Sequence, residues 1–297
     1  MEVGMYEPVT QLAAAALFMS ALGVGLAFVL VVAHRRFYVY EDPRIDQVEQ
    51  WLPRSNCGAC GTAGCRAFAE ALIDGSAKPG QCTVNSPGTN ETIAEYLGVD
   101  LGDVEKRIAR IACAGGNHVA SIRAHYSGLP SCRAASLVAG GGKCCTWGCL
   151  GLGDCESVCE FDAIYLDHHG LPQVTTDYCT ACGDCVDVCP KALISLQPLN
   201  HRLWVACRNQ EHGDLAEAQC EVACNACGRC VIDAPEELIT IKNHLAEIDY
   251  GKNDLTSTLP IERCPTGAIV WISENQIHCK GKAAKPIIRQ QPLPLVS

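Results

Sequence analysis

No basic stripe runs through this sequence. Lys and Arg number 23 against 33 Asp and Glu, for a formal charge of −10, whereas a nucleic-acid binder concentrates positive charge on one face. An acidic surface instead steers its carrier towards basic docking faces on partners. A nucleotide fingerprint is missing too. The glycines at 148, 151 and 153 in "GCLGLGD" miss the G-x-G-x-x-G spacing and do not follow a strand and open a helix. No acid–base pair or activated nucleophile stands out from the charged loops, so no residue is given a catalytic role. His168 and His169 sit in a polar turn and are expected to face water. Gly140 to Gly142 read as a flexible joint.

What the sequence has in excess is cysteine. There are 22 in 297 residues, far above ordinary usage. They stand in tight C-x2-C groups, a spacing arranged for metals more often than for disulfides.

The amino end carries one long apolar run, Val9 to Ala33, 25 residues without a charge. As a helix it would be about 38 Å long, enough to cross a hydrocarbon core of about 30 Å with some tilt. Glu2 and Glu7 precede it, and His34, Arg35 and Arg36 follow. The positive-inside bias leaves the amino terminus outside and the rest in the cytoplasm. Phe37, Tyr38 and Tyr40 are candidate interfacial anchors. A cleaved signal peptide fits poorly, because the run is too long, its leading segment is acidic and no A-x-A site follows.

After a short polar linker with Pro43 and Pro53 come Cys57, Cys60, Cys65 and Cys82, spaced C-x2-C-x4-C-x16-C. Gly58, Gly61 and Gly64 allow close approach to an inorganic core. The run "RAFAEALI" after Cys65 reads as a helix ending at Asp74–Gly75. Four thiolates at this spacing suit zinc or an iron–sulfur cluster.

Further on, one phrase recurs four times: "CEFDAIYL" from Cys159, "CPKALISL" from Cys189, "APEELITI" from Ala234 and "CPTGAIVW" from Cys264. Each is a helix-like turn leading into an apolar strand. Cys179, Cys182, Cys185 and Cys189–Pro190 form the C-x2-C-x2-C-x3-C-P run of bacterial ferredoxins, in which the fourth cysteine serves the other cluster of a pair. Four echoes therefore predict two ferredoxin-like modules in tandem. By the crossing rule Cys179, Cys182 and Cys185 pair with Cys159, while Cys224, Cys227 and Cys230 pair with Cys264. The companion of that last set is lost whole: Ala234 replaces its cysteine, and "DYGKNDLTSTLPIER" holds none.

Cys149, Cys155 and Cys189 belong together, but Leu152 occupies the second position of their run. Either Cys145 completes this set or the cluster is a three-iron form. The intervals Cys132–Cys145–Cys149 recur as Cys207–Cys220–Cys224. These leading cysteines are ligands, partners of Cys113 in an additional site, or buried small hydrophobes. Cys144 and Cys279 show no pattern.

In order, the pieces are a membrane anchor (1–36), a linker and four-cysteine domain (37–110), a connector (111–143), a two-cluster module (144–198), a one-cluster module (199–273) and a tail (274–297) rich in Lys, Gln and Pro, left open between docking on a partner and disorder. The fold class expected is α+β. The four-cysteine domain resembles that of the Rnf B subunit and of some corrinoid iron–sulfur proteins, but the latter need a large barrel domain for which the chain has no room. The whole order resembles the B subunit of the Rnf complex, the ion-translocating ferredoxin:NAD+ oxidoreductase of bacteria and some archaea. Departures are Leu152, Glu160 where proline is usual, and the lost fourth module site.

That resemblance implies at least four [4Fe-4S] clusters and a role as an electron-transfer subunit of a translocase in the cytoplasmic membrane. Ferredoxin would be the donor or acceptor, and membrane and flavin-bearing subunits, with Na+ or H+ transport and NAD+ reduction, the other partners. The alternatives are an electron-transfer subunit of another membrane redox complex, or a protein whose clusters only hold shape.

Overall fold

The computed structural model describes residues 6–37, 41–102 and 106–296, with side chains from residue 11 at the amino end. Glu2, Tyr38 and Tyr40 lie outside the described residues. Helix α1 spans Tyr6–Phe37 and takes His34, Arg35 and Arg36 into its last turn. Its stretch Gln11–Phe37 is the one helix among the described residues long and apolar enough to cross a membrane. Leu12, Phe18, Phe28 and Leu30 are all exposed along it, a continuous apolar surface that water does not tolerate. The helix is consistent with a membrane anchor.

The expected polar linker is a helix. α2 covers Pro43–Trp51, with Pro43 in its first turn and the Asp42 carboxylate accepting from the Arg44 N–H at 2.9 Å. Proline is favoured there because its missing N–H would be unpaired in any case. α3 (Cys65–Asp74) stops where the sequence placed its end, at Gly75, whose left-handed backbone (φ 82°) suits glycine. α4 (Pro87–Leu97) starts from Ser86, which accepts from the Thr89 N–H at 3.2 Å. Val48, Leu52, Phe68, Leu72 and Ile93 bury the faces these helices share. Trp51 packs edge-on against Tyr96, centroids 5.0 Å apart.

The remainder is built twice on one plan. The first half holds β1 (Arg107–Ile111), α5 (Cys132–Leu137), α6 (Asp154–Ser157), β2 (Ile164–Leu166), β3 (Pro172–Val174), α7 (Asp184–Val188) and β4 (Ile194–Pro198). The second holds β5 (Leu203–Val205), α8 (Gly213–Gln219), α9 (Arg229–Asp233), β6 (Ile239–Lys242), β7 (Leu245–Ile248), α10 (Leu259–Glu262), β8 (Ile269–Ile272) and β9 (His278–Cys279). In each half an outer antiparallel pair brackets an inner hairpin. β1 pairs β4 with Ile111 opposite Ile194, and β5 pairs β8 with Val205 opposite Ile269. The hairpins are β2–β3 and β6–β7, and β9 adds an edge to β8. The fold is α+β.

Each of the four sequence echoes feeds one strand: β2, β4, β6 or β8. The fourth residue of every echo is left-handed: Asp162 (φ 51°), Ala192 (48°), Glu237 (58°) and Gly267 (68°). One backbone turn is therefore used four times, although only one echo has the glycine such a turn favours.

Two loop readings change. Gly140 to Gly142 form a tight turn with positive φ throughout, and Gly142 O accepts from the Arg123 N–H at 2.9 Å. A side chain on Gly142 would run into the Ala124 carbonyl. The tail folds back on the chain itself. Lys285 N–H donates to Pro265 O (3.0 Å), Leu293 N–H to Asn117 O and Val296 N–H to Ile122 O (2.9 Å each). Arg289 pairs with Glu221 at 3.0 Å.

Candidate metal centres

All 22 cysteines are free thiols. Sixteen of them line cavities in sets of four, and Cys60, Cys65 and Cys82 share a further core. In the set nearest α1 in the sequence, Cys57 precedes and Cys60 lies within a turn closed by Gly61 N–H donating to Gly58 O at 2.8 Å. Cys60, Cys65 and Cys82 meet in the core beneath α2–α4. Asn56 and Asn90 fix this frame. The Asn56 side chain accepts from the Cys65 N–H at 2.8 Å, and Gly64 has no room for a Cβ, which would lie 2.9 Å from Asn56 Oδ1. Asn90, only 2% exposed, donates to Cys82 O at 3.0 Å and accepts from Asn85 at 3.1 Å.

Cys159, Cys179, Cys182 and Cys185 line a cavity of about 320 Å³. Cys224, Cys227, Cys230 and Cys264 line one of about 340 Å³. In both, three cysteines come from one loop and the fourth from an echo about twenty or more residues away. Ala181 (φ 58°) and Ala226 (57°) turn the two loops identically, followed by Gly183 and Gly228, also left-handed. Backbone N–H groups point at sulfur: Ala163 to Cys159 Sγ at 3.4 Å, Ala109 to Cys179 Sγ at 3.5 Å and Leu193 to Cys189 Sγ at 3.5 Å.

The third cavity corrects the sequence reading. Cys149, Cys155 and Cys189 line it, at about 380 Å³, but the fourth cysteine there is Cys132. Cys145 lies elsewhere, in a cavity with Cys113, Cys207 and Cys220. The cause is Asp154, which precedes Cys155. Its carboxylate accepts from the Cys132 N–H (2.8 Å), the Arg133 N–H (3.0 Å) and Ser131 Oγ (2.9 Å). These bonds tie the start of α5 beside Cys155. Meanwhile the turn closed by Gly148 N–H on Cys145 O (3.2 Å) separates Cys145 from Cys149. Nothing local in the sequence announces that tether. Leu152, at the vacant ligand position, lies on the same kind of turn, with Gly151 (φ 70°) and Gly153 (82°) left-handed.

A single tetrahedral zinc would hold its sulfurs within about 4 Å of one another, from Zn–S bonds of ~2.3 Å. Among the described residues no three His, Cys, Asp or Glu side chains converge for one metal ion. Four sulfurs lining one pocket without closing on a single ion instead suit a larger inorganic core. Burial pushes the thiols up, Cys155 to about 11 and Cys149, Cys185 and Cys230 to about 12, with neighbouring thiols adding to the rise. Bare, they stay protonated at neutral pH. A coordinated metal reverses this, because it deprotonates the sulfur outright.

The sets adjoin. Cys155 and Cys185 share one core with Cys159, Cys179 and Cys189. Thr83, beside Cys82, hydrogen-bonds the carbonyl of Thr180, between Cys179 and Cys182.

Comparison with known proteins agrees with this chemistry. The FeS family model, an Fe-S cluster domain, matches residues 52–84, and the Fer4 model, a 4Fe-4S binding domain, matches residues 172–195. Together with α1 they define an iron–sulfur protein of membrane electron transport. The chain is 42% identical over 247 residues to the B subunit of the Na(+)-translocating ferredoxin:NAD(+) oxidoreductase complex of Acetobacterium woodii, covering 83% of this chain and 73% of that protein. It is 36% identical to the proton-translocating counterpart of Clostridium ljungdahlii, over 88% and 94% of the two chains. It is 34% identical to the B subunit of the ion-translocating oxidoreductase complex of Methanosarcina acetivorans, over 84% and 95%. The chain belongs to this family, the B subunits of the ion-translocating (Rnf) oxidoreductase complexes, and is an electron-transfer component of such a translocase.

Proposed function

We propose that the chain relays electrons between ferredoxin and membrane redox subunits whose chemistry is coupled to Na+ or H+ transport and to NAD+ reduction or its reverse. Four [4Fe-4S] clusters would be held by Cys57, Cys60, Cys65 and Cys82; by Cys159, Cys179, Cys182 and Cys185; by Cys132, Cys149, Cys155 and Cys189; and by Cys224, Cys227, Cys230 and Cys264. Such clusters take up and release one electron at a time, at potentials set by hydrogen bonds, burial and charge. The N–H groups aimed at Cys159, Cys179 and Cys189 favour charge on those sulfurs. The stretches near 144–198, with Cys132 brought in from before it, and near 199–273 act as tandem ferredoxin-like modules, the first with two sites and the second with one.

The observation that carries this reading is that cysteines from separate segments converge in fours around three cavities, two of them sharing one core. The basic last turn of α1 supports an amino terminus outside and the cysteine sets on the cytoplasmic face. Purified anaerobically, the four sets account for about sixteen irons per chain. Anaerobic pull-down from membranes should recover flavin-bearing and membrane subunits, and redox titration of the captured complex should show ferredoxin-reducible clusters. A preparation holding mainly zinc, or iron that neither ferredoxin nor dithionite reduces, would overturn the proposal. Cys264→Ala should remove one low-potential paramagnetic signal and spare those of the first half.

A further inference from the structure

The cavity that holds Cys145 lies where the two halves meet. Cys113, Cys145, Cys207 and Cys220 line it, four cysteines around one cavity as in the Cys159–Cys185 set. Each half contributes the same two pieces. One is a strand followed by Ala-Cys: β1 leads to Ala112–Cys113, and β5 leads to Ala206–Cys207. The other is the first cysteine of a C-x3-C pair, Cys145 before Cys149 and Cys220 before Cys224.

The contacts repeat as well. Cys149 N–H points at Cys113 Sγ at 3.4 Å, and Cys224 N–H points at Cys207 Sγ at 3.3 Å. Hydrogen bonds cross the seam from Ala114 N–H to Ala206 O (3.0 Å) and from Ser121 N–H to Gln219 O (2.9 Å). The repeated interval in the sequence aligns Cys207 with Cys132, but in the fold its counterpart is Cys113.

The surroundings suit a buried anionic core. Lys143 lies at the cavity wall, its ammonium donating to Gly115 O at 2.5 Å and Cys149 O at 2.6 Å, with Arg208 also lining the space. Asn209 N–H donates to Cys207 Sγ at 3.4 Å, a second bond to that sulfur. At Gly115 a Cβ would stand 3.0 Å from Cys220 Sγ and 3.7 Å from Cys113 Sγ, so the wall is bare where two sulfurs approach it.

We propose that Cys113, Cys145, Cys207 and Cys220 form a fifth cluster site, taking a [4Fe-4S] core bound equally by both halves. It sits between the Cys132–Cys189 set and the Cys224–Cys264 set, touching a ligand residue of each. The second half's set shares its core with two of the four, Cys207 and Cys220. As a binding site it stands by itself; as a link for electrons it rests on the relay proposed above. There a single electron, supplied by reduced ferredoxin or dithionite, would leave one flanking cluster oxidised and the other reduced, with no bond made or broken.

The test is a cluster count on the full chain purified anaerobically, by iron and acid-labile sulfide analysis with native mass spectrometry. Five sites predict about 20 irons, and a count that stops at about sixteen overturns the fifth site while leaving the other four standing. About sixteen irons with one zinc per chain overturns it equally. The double variants Cys145→Ser/Cys220→Ser and Cys113→Ser/Cys207→Ser should each lose about four irons and one reducible centre. Cys144→Ser should lose none. The four remaining spectra report whether a variant has folded, and if one does not fold the wild-type count still decides. Iron absent throughout would instead sink the relay.

Discussion

At Asp154 one carboxylate gathers three donors from the start of α5 and so brings Cys132 to the sulfurs of Cys149, Cys155 and Cys189. Cys132→Ser should leave that set with three thiolates and convert its cluster to a three-iron form, seen as a new paramagnetic signal in the oxidised protein. Cys145→Ser should leave that set four-liganded and its own reduced signal unchanged; loss of that signal in Cys145→Ser, with Cys132→Ser sparing it, would reverse the assignment. Asn90 plays a similar positioning role in the first set. Asn90→Ala strands the Cys82 carbonyl and should cost about 1–3 kcal/mol, read as a lower unfolding midpoint with early iron loss from that set. The loop cysteines that line each cavity could be grouped from sequence because their spacing is local. Cys132 was not, since its neighbour is chosen by a side chain more than twenty residues away.

A titrating residue also leaves its mark. His118 stacks on His169 with centroids 3.6 Å apart, and burial, then His169, hold it below its ordinary value of 6.5 while Asp167 opposes them. Lys280 and His168 press the same way as His169. A base depressed in the folded state binds fewer protons there than in the unfolded chain. Stability is therefore full above the unfolded value and falls as pH drops through the folded one. His118→Gln should flatten the decline in urea midpoint as pH falls below about 6.5. An unchanged slope would show that this stack is not the cause.

Among the elements, the four echo strands and α3 were readable, because each joins an apolar run to a marked turn or stop. α2 was not. Pro43 looks like a linker residue until Asp42 is seen to cap a helix whose Val48 is wholly buried. Caps of this kind carry measurable stability. Ser86→Ala, which removes the acceptor for the Thr89 N–H, should cost about 1 kcal/mol. Circular dichroism melts of wild type and variant check it, and no shift would mean that α4 is held by packing alone. The brief helices of the halves, four or five residues each, have too few turns to show a period.

For the whole molecule, order along the chain was legible and meeting across it was not. The apolar helix α1, the four-cysteine loop and the paired echoes each stand as one stretch of sequence. Deleting residues 1–36 should move the protein from washed membranes to the soluble fraction, as immunoblotting of the two would show; retention in the membrane would assign anchoring to other subunits. The junction of the halves could be seen only once "IAC" at 111–113 and "VAC" at 205–207 were recognised as the same strand end.

That junction also bears on how the protein is made. As the chain leaves the ribosome, the thiols at 57–82 have their full company early, and those at 132–189 soon after. Cys113 and Cys145 must wait until Cys220 has been synthesised. Through that interval two sulfurs stand without their mates, so oxygen reaching a nascent chain would do its first harm at the seam and strike the young molecule harder than the finished one.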